Sequence, residues 1–192
     1  FADRPGWVYR ELTHPKAILA NVAHKIPEGS SQSTSLMDYI ANQFDSAVTW
    51  KDLEWMVSEW GGPFAIKGIL SPADARKAVD SGVSAIMVSN HGGRQLDGTL
   101  SAFEALGPIL DEVGGECEVI CDGGIRRGTH VLKALARGAT ACSMGRPYLY
   151  GLAAAGQPGV TRVLDLMRAE IERGMGLIGC RNISEISARH IT

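Results

Sequence analysis

Residues 84–147, SAIMVSNHGGRQLDGTLSAFEALGPILDEVGGECEVICDGGIRRGTHVLKALARGATACSMGRP, decide the architecture. Three short apolar runs, 84–90, 117–124 and 140–147, alternate with two longer stretches of helical spacing, 101–114 and 127–139. The runs are continuously apolar rather than alternating, the pattern of parallel strands buried on both faces. Pro108 lies inside the first helical stretch and predicts a kink there.

Working outward, the same unit recurs on both sides. TWKDLEWMVSEWG (49–61) opens on Thr49 as a helix N-cap, repeats Leu53, Met56 and Val57 at helical spacing, and stops at Gly61-Gly62. PFAIKGIL (63–70) reads as a strand, and Ser71-Pro72 opens a helix that Gly82 closes. VTRVLDLMRAEIERGMGLIG (160–179) reads as a long amphipathic helix. Four β/α units make either a small open parallel sheet or half of an eight-stranded β/α barrel. A whole barrel takes about 250 residues, so 192 residues fall several units short.

Residues 1–48 fit neither pattern. They contain one helical stretch, HPKAILANVAHKI (14–26), and then the polar run PEGSSQSTS (27–35). A segment of this kind is expected to be a weakly ordered lid or linker. The domain reading is therefore 1–48 as lid or linker, and 49–192 as the β/α body.

Hydrophobic residues make up 45% and charged residues 21% of the chain, a globular balance. A formal net charge of -2 provides no positive field for nucleic acid or an anionic membrane. No apolar run approaches the roughly 20 residues of a spanning helix, and FADRPGW does not read as a signal peptide. The expectation is a cytoplasmic protein, or one peripheral to the inner membrane face. Cys117, Cys121, Cys142 and Cys180 form no C-x-x-C pair and read as free thiols, three of them in or beside apolar runs. The five histidines show no metal-ligand spacing, so no metal site is expected.

Polar or glycine-rich residues stand at the carboxyl end of every strand: Lys67-Gly68, Ser89 to Arg94, Asp122 to Arg126, and Gly145-Arg146-Pro147. That rim is where parallel β/α folds bind ligands. Glycine and aspartate suit β/α turns for backbone reasons alone, but four such turns in succession, carrying cationic and titratable side chains, exceed turn chemistry. Lys67 ends an apolar strand and has to reach solvent or an anionic partner. The turns Asp122-Gly123-Gly124-Ile125-Arg126 and Gly145-Arg146 each precede a helical segment, whose first amides favour a phosphate. His91 offers the side-chain base suited to proton transfer near neutral pH, and Arg94, three residues on, offers a fork for a carboxylate. A base beside a carboxylate anchor suits proton abstraction from a small organic acid.

With these residues in place, SNHGGRQLDG (89–98), IKGI (66–69), DGGIRRGTHVLKALARGA (122–139) and MGRPYLYGLAAAGQPGV (144–160) closely resemble one family. It is the flavin mononucleotide (FMN)-dependent 2-hydroxy-acid dehydrogenases and oxidases, which include L-lactate dehydrogenase, glycolate oxidase and mandelate dehydrogenase. The resemblance covers about residues 49–189. It implies the C-terminal half of a TIM barrel, strands five to eight, with FMN as cofactor. It implies that Lys67 lies beside the flavin ring, that Ser89 contacts its pyrimidine side, and that His91 takes the substrate proton as electrons reach flavin N5. Arg94 would bind the carboxylate of a lactate-like L-2-hydroxy acid. Asp122, Gly123, Gly124 and Arg126 would line the ribityl–phosphate path, with Gly145 and Arg146 on the phosphate.

The family also uses an N-terminal half that supplies further flavin contacts and an aspartate orienting the histidine. Those parts are absent from this sequence, so the expectation is a fragment, or a half whose other part is a separate segment. Such a half exposes a strand edge and an apolar face. It would need the N-terminal half as partner and, when intact, would form tetramers or larger homo-oligomers. The electron acceptor stays open among oxygen, quinone and cytochrome. Three other readings stand beside this one: a barrel isomerase or lyase acting on a phosphorylated metabolite, a family member oxidising a modified peptide or cofactor precursor, and a non-catalytic half-barrel.

Overall fold

The computed structural model describes residues 5–14, 21, 24 and 39–191. The chain divides into two units, Phe1–Val48 and Thr49–Thr192. In the first, Pro5–Thr13 form helix α1, which the sequence reading left unassigned. Pro5 suits a first helical position because its missing N–H would have no partner there, and the Thr13 hydroxyl donates to the Tyr9 carbonyl at 2.7 Å. Most of 14–26 and all of 27–35 lie outside the described residues.

The second unit begins with α2, Trp50–Trp60. The Asp52 carboxylate accepts both the Thr49 amide and the Thr49 hydroxyl, each at 2.7 Å, which fixes the first turn. Gly61, at φ 62, ends the helix in the left-handed conformation. There follow β1 (Ala65–Ile69), α3 (Pro72–Asp80), β2 (Ala85–Ser89), α4 (Ala102–Val113), β3 (Glu118–Asp122), α5 (Gly128–Ala136), β4 (Ala141–Ser143) and α6 (Arg146–Ile178). The four strands form one sheet in the order β1-β2-β3-β4, every pair parallel. This is the α/β arrangement expected of half a parallel barrel.

One face of the sheet packs under the helices. Ile86 and Val88 of β2 and Val119 and Cys121 of β3 meet Ala75 and Ala78 of α3, and Ala105, Leu106 and Ile109 of α4. The alanines let the helix axes approach the sheet, and each large aliphatic side chain removed from water contributes about 1.5–3 kcal/mol. The other face differs from the expectation of strands buried on both sides. Ala65, Lys67 and Ala141 are exposed there, and Met87 and Ile120 are half-buried. β2 is the most enclosed strand, with four of its five residues buried. The continuous apolar runs exceed the burial that these strands find among the described residues.

Two helices depart from expectation. α4 runs on through Pro108 without a break. Pro108 faces solvent, so water can serve the carbonyl that its missing N–H would have bonded. The last helix begins at Arg146 rather than near 160, with Pro147 in its first turn, and is interrupted at Ala155 (φ -151) and Gly156 (φ 63). Leu-Ala-Ala-Ala (152–155) are good helix formers, and Gly156 supplies the positive φ at the break.

Register brings the polar strand ends level. Lys67 stands opposite Met87, and Ser89, Asp122 and Ser143 lie side by side across β2, β3 and β4. A bulge at Gly68 (φ 104) shifts β1 by one residue between Lys67 and Ile69.

Candidate active site

The segment after β2 holds the histidine in an uncommon backbone. His91 (φ 56), Gly92 (φ 70) and Gly93 (φ 72) are three consecutive left-handed residues. Among the described residues His91 is the one non-glycine with positive φ, a conformation that side chains tolerate only when their surroundings enforce it. The enforcement is visible. Asn90 Oδ1 accepts the Gly93 amide at 3.1 Å, and Asn90 Nδ2 donates to the Leu100 carbonyl at 3.3 Å. Ser89 Oγ accepts the His91 amide at 3.0 Å. A Cβ on Gly92 would come within 3.2 Å of the Arg146 guanidinium, which donates from Nη2 to the Gly92 carbonyl at 3.0 Å.

At the end of β3, Asp122 gathers partners from three strands. Ser89 Oγ donates to its Oδ2 at 2.6 Å, and Lys67 Nζ lies 3.3 Å from the same oxygen. Ser143 also hydrogen-bonds the carboxylate. Burial pushes this carboxyl up, but the hydrogen bonds from Ser89 and Ser143 and the Lys67 charge outweigh it and hold it below its usual value. Asp122 is therefore an anion in the neutral range, fixed at the end of the sheet.

The turn after β3 carries Gly123 (φ 121) and Gly124 (φ 73). The first amides of α5 were expected to be available to a phosphate. Instead, the Gly128 amide donates to Glu170 Oε2 at 2.8 Å, and Arg127 Nη2 donates to Glu170 Oε1 at 2.8 Å. Arg127, with the Gly128 amide, keeps the Glu170 carboxyl below its usual value. An internal carboxylate thus fills the place that helix geometry offers to an external anion. The start of α6 is different: Gly145 caps it with no side-chain hydrogen bond, leaving that terminus open.

A cavity of about 260 Å³ joins these ends. Lys67, His91, Arg94, Asp122, Gly123, Gly124, Arg126, Gly145 and Arg146 all line it, with Gly92, Ile125, Ser143, Pro147 and Leu149. Of the residues to which the family resemblance gives a role, Ser89 alone does not line it; Ser89 is 2% exposed and is bonded to Asp122 and to the His91 amide. Four cationic side chains face the single carboxylate of Asp122, and among the described residues neither Arg94 nor Arg126 has an ion pair. The space is built for an anion. A larger cavity of about 470 Å³ adjoins it, sharing Gly92, Gly123, Gly124, Ile125 and Arg146. We assign the site to the smaller one because the histidine, the lysine and the aspartate converge there.

The sequence reading gives no role to Ser143, Asn90 or Glu170. Ser143 becomes visible only once the register sets it level with Asp122. Asn90 had a local signal, since an Asx side chain before Gly-Gly favours a self-bonded turn. Nothing local marked Glu170, which lies 42 residues from its partner Gly128.

A family profile described as FMN-dependent dehydrogenase matches residues 1–192. The chain belongs to that family. Among solved structures, this chain is similar to mandelate oxidase with 3,3-difluoro-2-hydroxy-3-phenylpropionic acid, at 48% identity and TM-score 0.72, over 76% of this chain and 44% of the other. Mandelate oxidase with benzoyl-formic acid matches at 50% identity and TM-score 0.69, over 71% of this chain and 41% of the other. A mandelate oxidase variant with the monooxide FMN adduct matches at 50% identity and TM-score 0.70, over 73% and 45%. The chain spans less than half the length of these structures.

The family's cofactor is FMN, and the residues present suit it. Neither Gly124 nor Gly145 has an atom within 4 Å of where a Cβ would stand, so a ligand can approach the backbone at both. The unpaired Arg126, the open start of α6 and Arg146 match a phosphate. Lys67 adds a further positive charge to the same cavity. Among the described residues no group of His, Cys, Asp or Glu is placed to hold a metal ion, and no helix is long and apolar enough to cross a membrane.

Proposed function

We propose that this chain is the base-bearing half of an FMN-dependent enzyme that oxidises a small L-2-hydroxy acid to the 2-oxo acid. The reading rests on one observation above the rest: His91, Arg94, Lys67 and the two arginines Arg126 and Arg146 share a single cavity at the strand ends. FMN, when bound, supplies the acceptor for the electron pair that leaves the substrate.

The chain's own groups then divide the remaining work. Arg94 holds the carboxylate of the acid and so fixes which hydrogen-bearing carbon faces the histidine. His91 takes the proton, its ring aimed by a backbone that Asn90 and Ser89 lock. Lys67, held by Asp122, places a positive charge where negative charge would build up. Arg126, Arg146 and the start of α6 would hold the phosphate. The exposed Ala65 and Ala141 and the half-buried Met87 and Ile120 support an N-terminal half of the same barrel as the partner.

The substrate proposed first is lactate-like. An aromatic 2-hydroxy acid is the second reading, favoured by the similarity of close to 50% identity to mandelate oxidase. The two are separated by mixing the FMN-loaded full-length protein anaerobically with L-lactate and with (S)-mandelate and following flavin absorbance. Bleaching by lactate at the lower concentration supports the first, and bleaching by mandelate supports the second. Bound flavin that no 2-hydroxy acid bleaches would remove the whole assignment.

A further inference from the structure

The N-terminus of α5 has no cap of its own, since Arg127 occupies the cap position and offers no side-chain hydrogen bond there. Glu170 supplies it from the second arm of α6. Its Oε2 accepts the Gly128 amide at 2.8 Å, and its Oε1 accepts Arg127 Nη2 at 2.8 Å and Arg127 Nε at 3.3 Å. The approach is close enough that a Cβ on Gly128 would stand 2.6 Å from Glu170 Cβ and from the Ile171 nitrogen. Immediately before this clamp comes the turn Gly123–Arg126, which lines the cavity. The turn has a second support, His130, whose Nδ1 lies 3.2 Å from the Arg126 amide and 3.0 Å from the Gly124 carbonyl. One ring nitrogen can serve only one of these at a time, so this support is the weaker and the carboxylate clamp the firmer.

We propose that Glu170 is a positioning residue for the cofactor phosphate, acting through the turn Gly123–Arg126 from outside the cavity. The inference rests on the flavin reading above. Its consequence is specific. Glu170 sets how strongly the protein prefers FMN over riboflavin, because the two ligands differ only in the phosphate that the turn would hold.

The test measures dissociation constants of FMN and riboflavin by flavin fluorescence on the full-length protein. The variants are Glu170→Gln and Glu172→Gln, the second altering a carboxylate of the same helix that pairs with Arg168. Glu170→Gln is expected to weaken FMN about tenfold, the loss of one charge-assisted hydrogen bond, with riboflavin changed by less than about twofold. Glu172→Gln is expected to change neither. Equal weakening of both flavins by Glu170→Gln, or unchanged FMN binding, overturns the proposal. Wild-type protein that binds FMN no more tightly than riboflavin overturns the phosphate reading itself, and is recognisable because the failure appears before any substitution. Should Glu170→Gln fail to fold, Arg127→Gln leaves the Gly128 cap in place and removes only the ion pair. The preference for FMN should fall there too, and an unchanged ratio in that variant overturns the proposal.

Discussion

The Ser89 hydroxyl donates to Asp122 at 2.6 Å, and the same oxygen accepts the His91 amide at 3.0 Å. One buried atom therefore ties the end of β3 to the left-handed backbone of the histidine. Ser89→Ala deletes both bonds and leaves the His91 amide and the carboxylate each short of a partner. We expect a loss of about 1–3 kcal/mol of stability, read by urea unfolding, and a fall in kcat with little change in KM. A variant as stable and as fast as the parent would show that the bridge contributes nothing.

Asp122 links pH to stability. Its carboxyl is held below the usual value when folded, so the folded state binds this proton less readily than the unfolded chain, whose aspartates titrate near ~3.9. The stabilisation is complete above that value and disappears as pH falls through the lower folded one. Urea midpoints of the parent and Asp122→Asn, compared from neutral pH downward, should differ most above about pH 4 and converge in stronger acid. Parallel curves would exclude the linkage.

His91→Gln keeps the size of the side chain but removes its basicity. The expected result is a kcat lower by about 10²–10⁴-fold with FMN still bound. Arg94→Lys keeps the charge but loses the two-pronged geometry, and KM for the acid should rise about tenfold. Steady-state kinetics on the FMN-loaded protein separate the two. A full-speed His91→Gln enzyme removes the histidine from proton transfer.

Two glycines sit in helices with opposite prospects. A Cβ on Gly151 would meet the Gly159 carbonyl oxygen at 2.5 Å, backbone that cannot swing aside. Gly151→Ala should destabilise by about 1–3 kcal/mol. At Gly107 the nearest atoms are the tip of Arg137, an exposed side chain free to turn away, and alanine gains about 1 kcal/mol of helix propensity. Gly107→Ala should be close to neutral, as thermal unfolding of the pair would reveal.

The four cysteines are free. Burial pushes the Cys121 thiol up to about 11 and the Cys142 thiol up to about 12, which leaves almost no thiolate near neutral pH. Mass spectrometry after iodoacetamide treatment should find both unlabelled until denaturant is added. Rapid labelling of either in the folded protein would contradict this.

Much of this was legible in the residues. The caps at Thr49 and Gly61, the helix opened by Ser71-Pro72, and the polar residues at each strand end follow from local chemistry, and the structure places them as expected. What escaped depended on distance or on solvent. Pro108 promised a kink, but its outward orientation removes the cost. The start of α6 was hidden because Gly145-Arg146-Pro147 reads equally as a turn and as a first helical turn. Glu170 was out of reach of any local pattern, since its meaning depends on a helix end 42 residues away.

Each strand pairs only with those next to it along the chain, in the order β1-β2-β3-β4. A nascent polypeptide leaving the ribosome therefore presents every new strand to an edge already made, and none has to be threaded between two earlier ones. Assembly of this sheet can keep step with translation, one β/α unit at a time, so loop-closure entropy is met in small instalments.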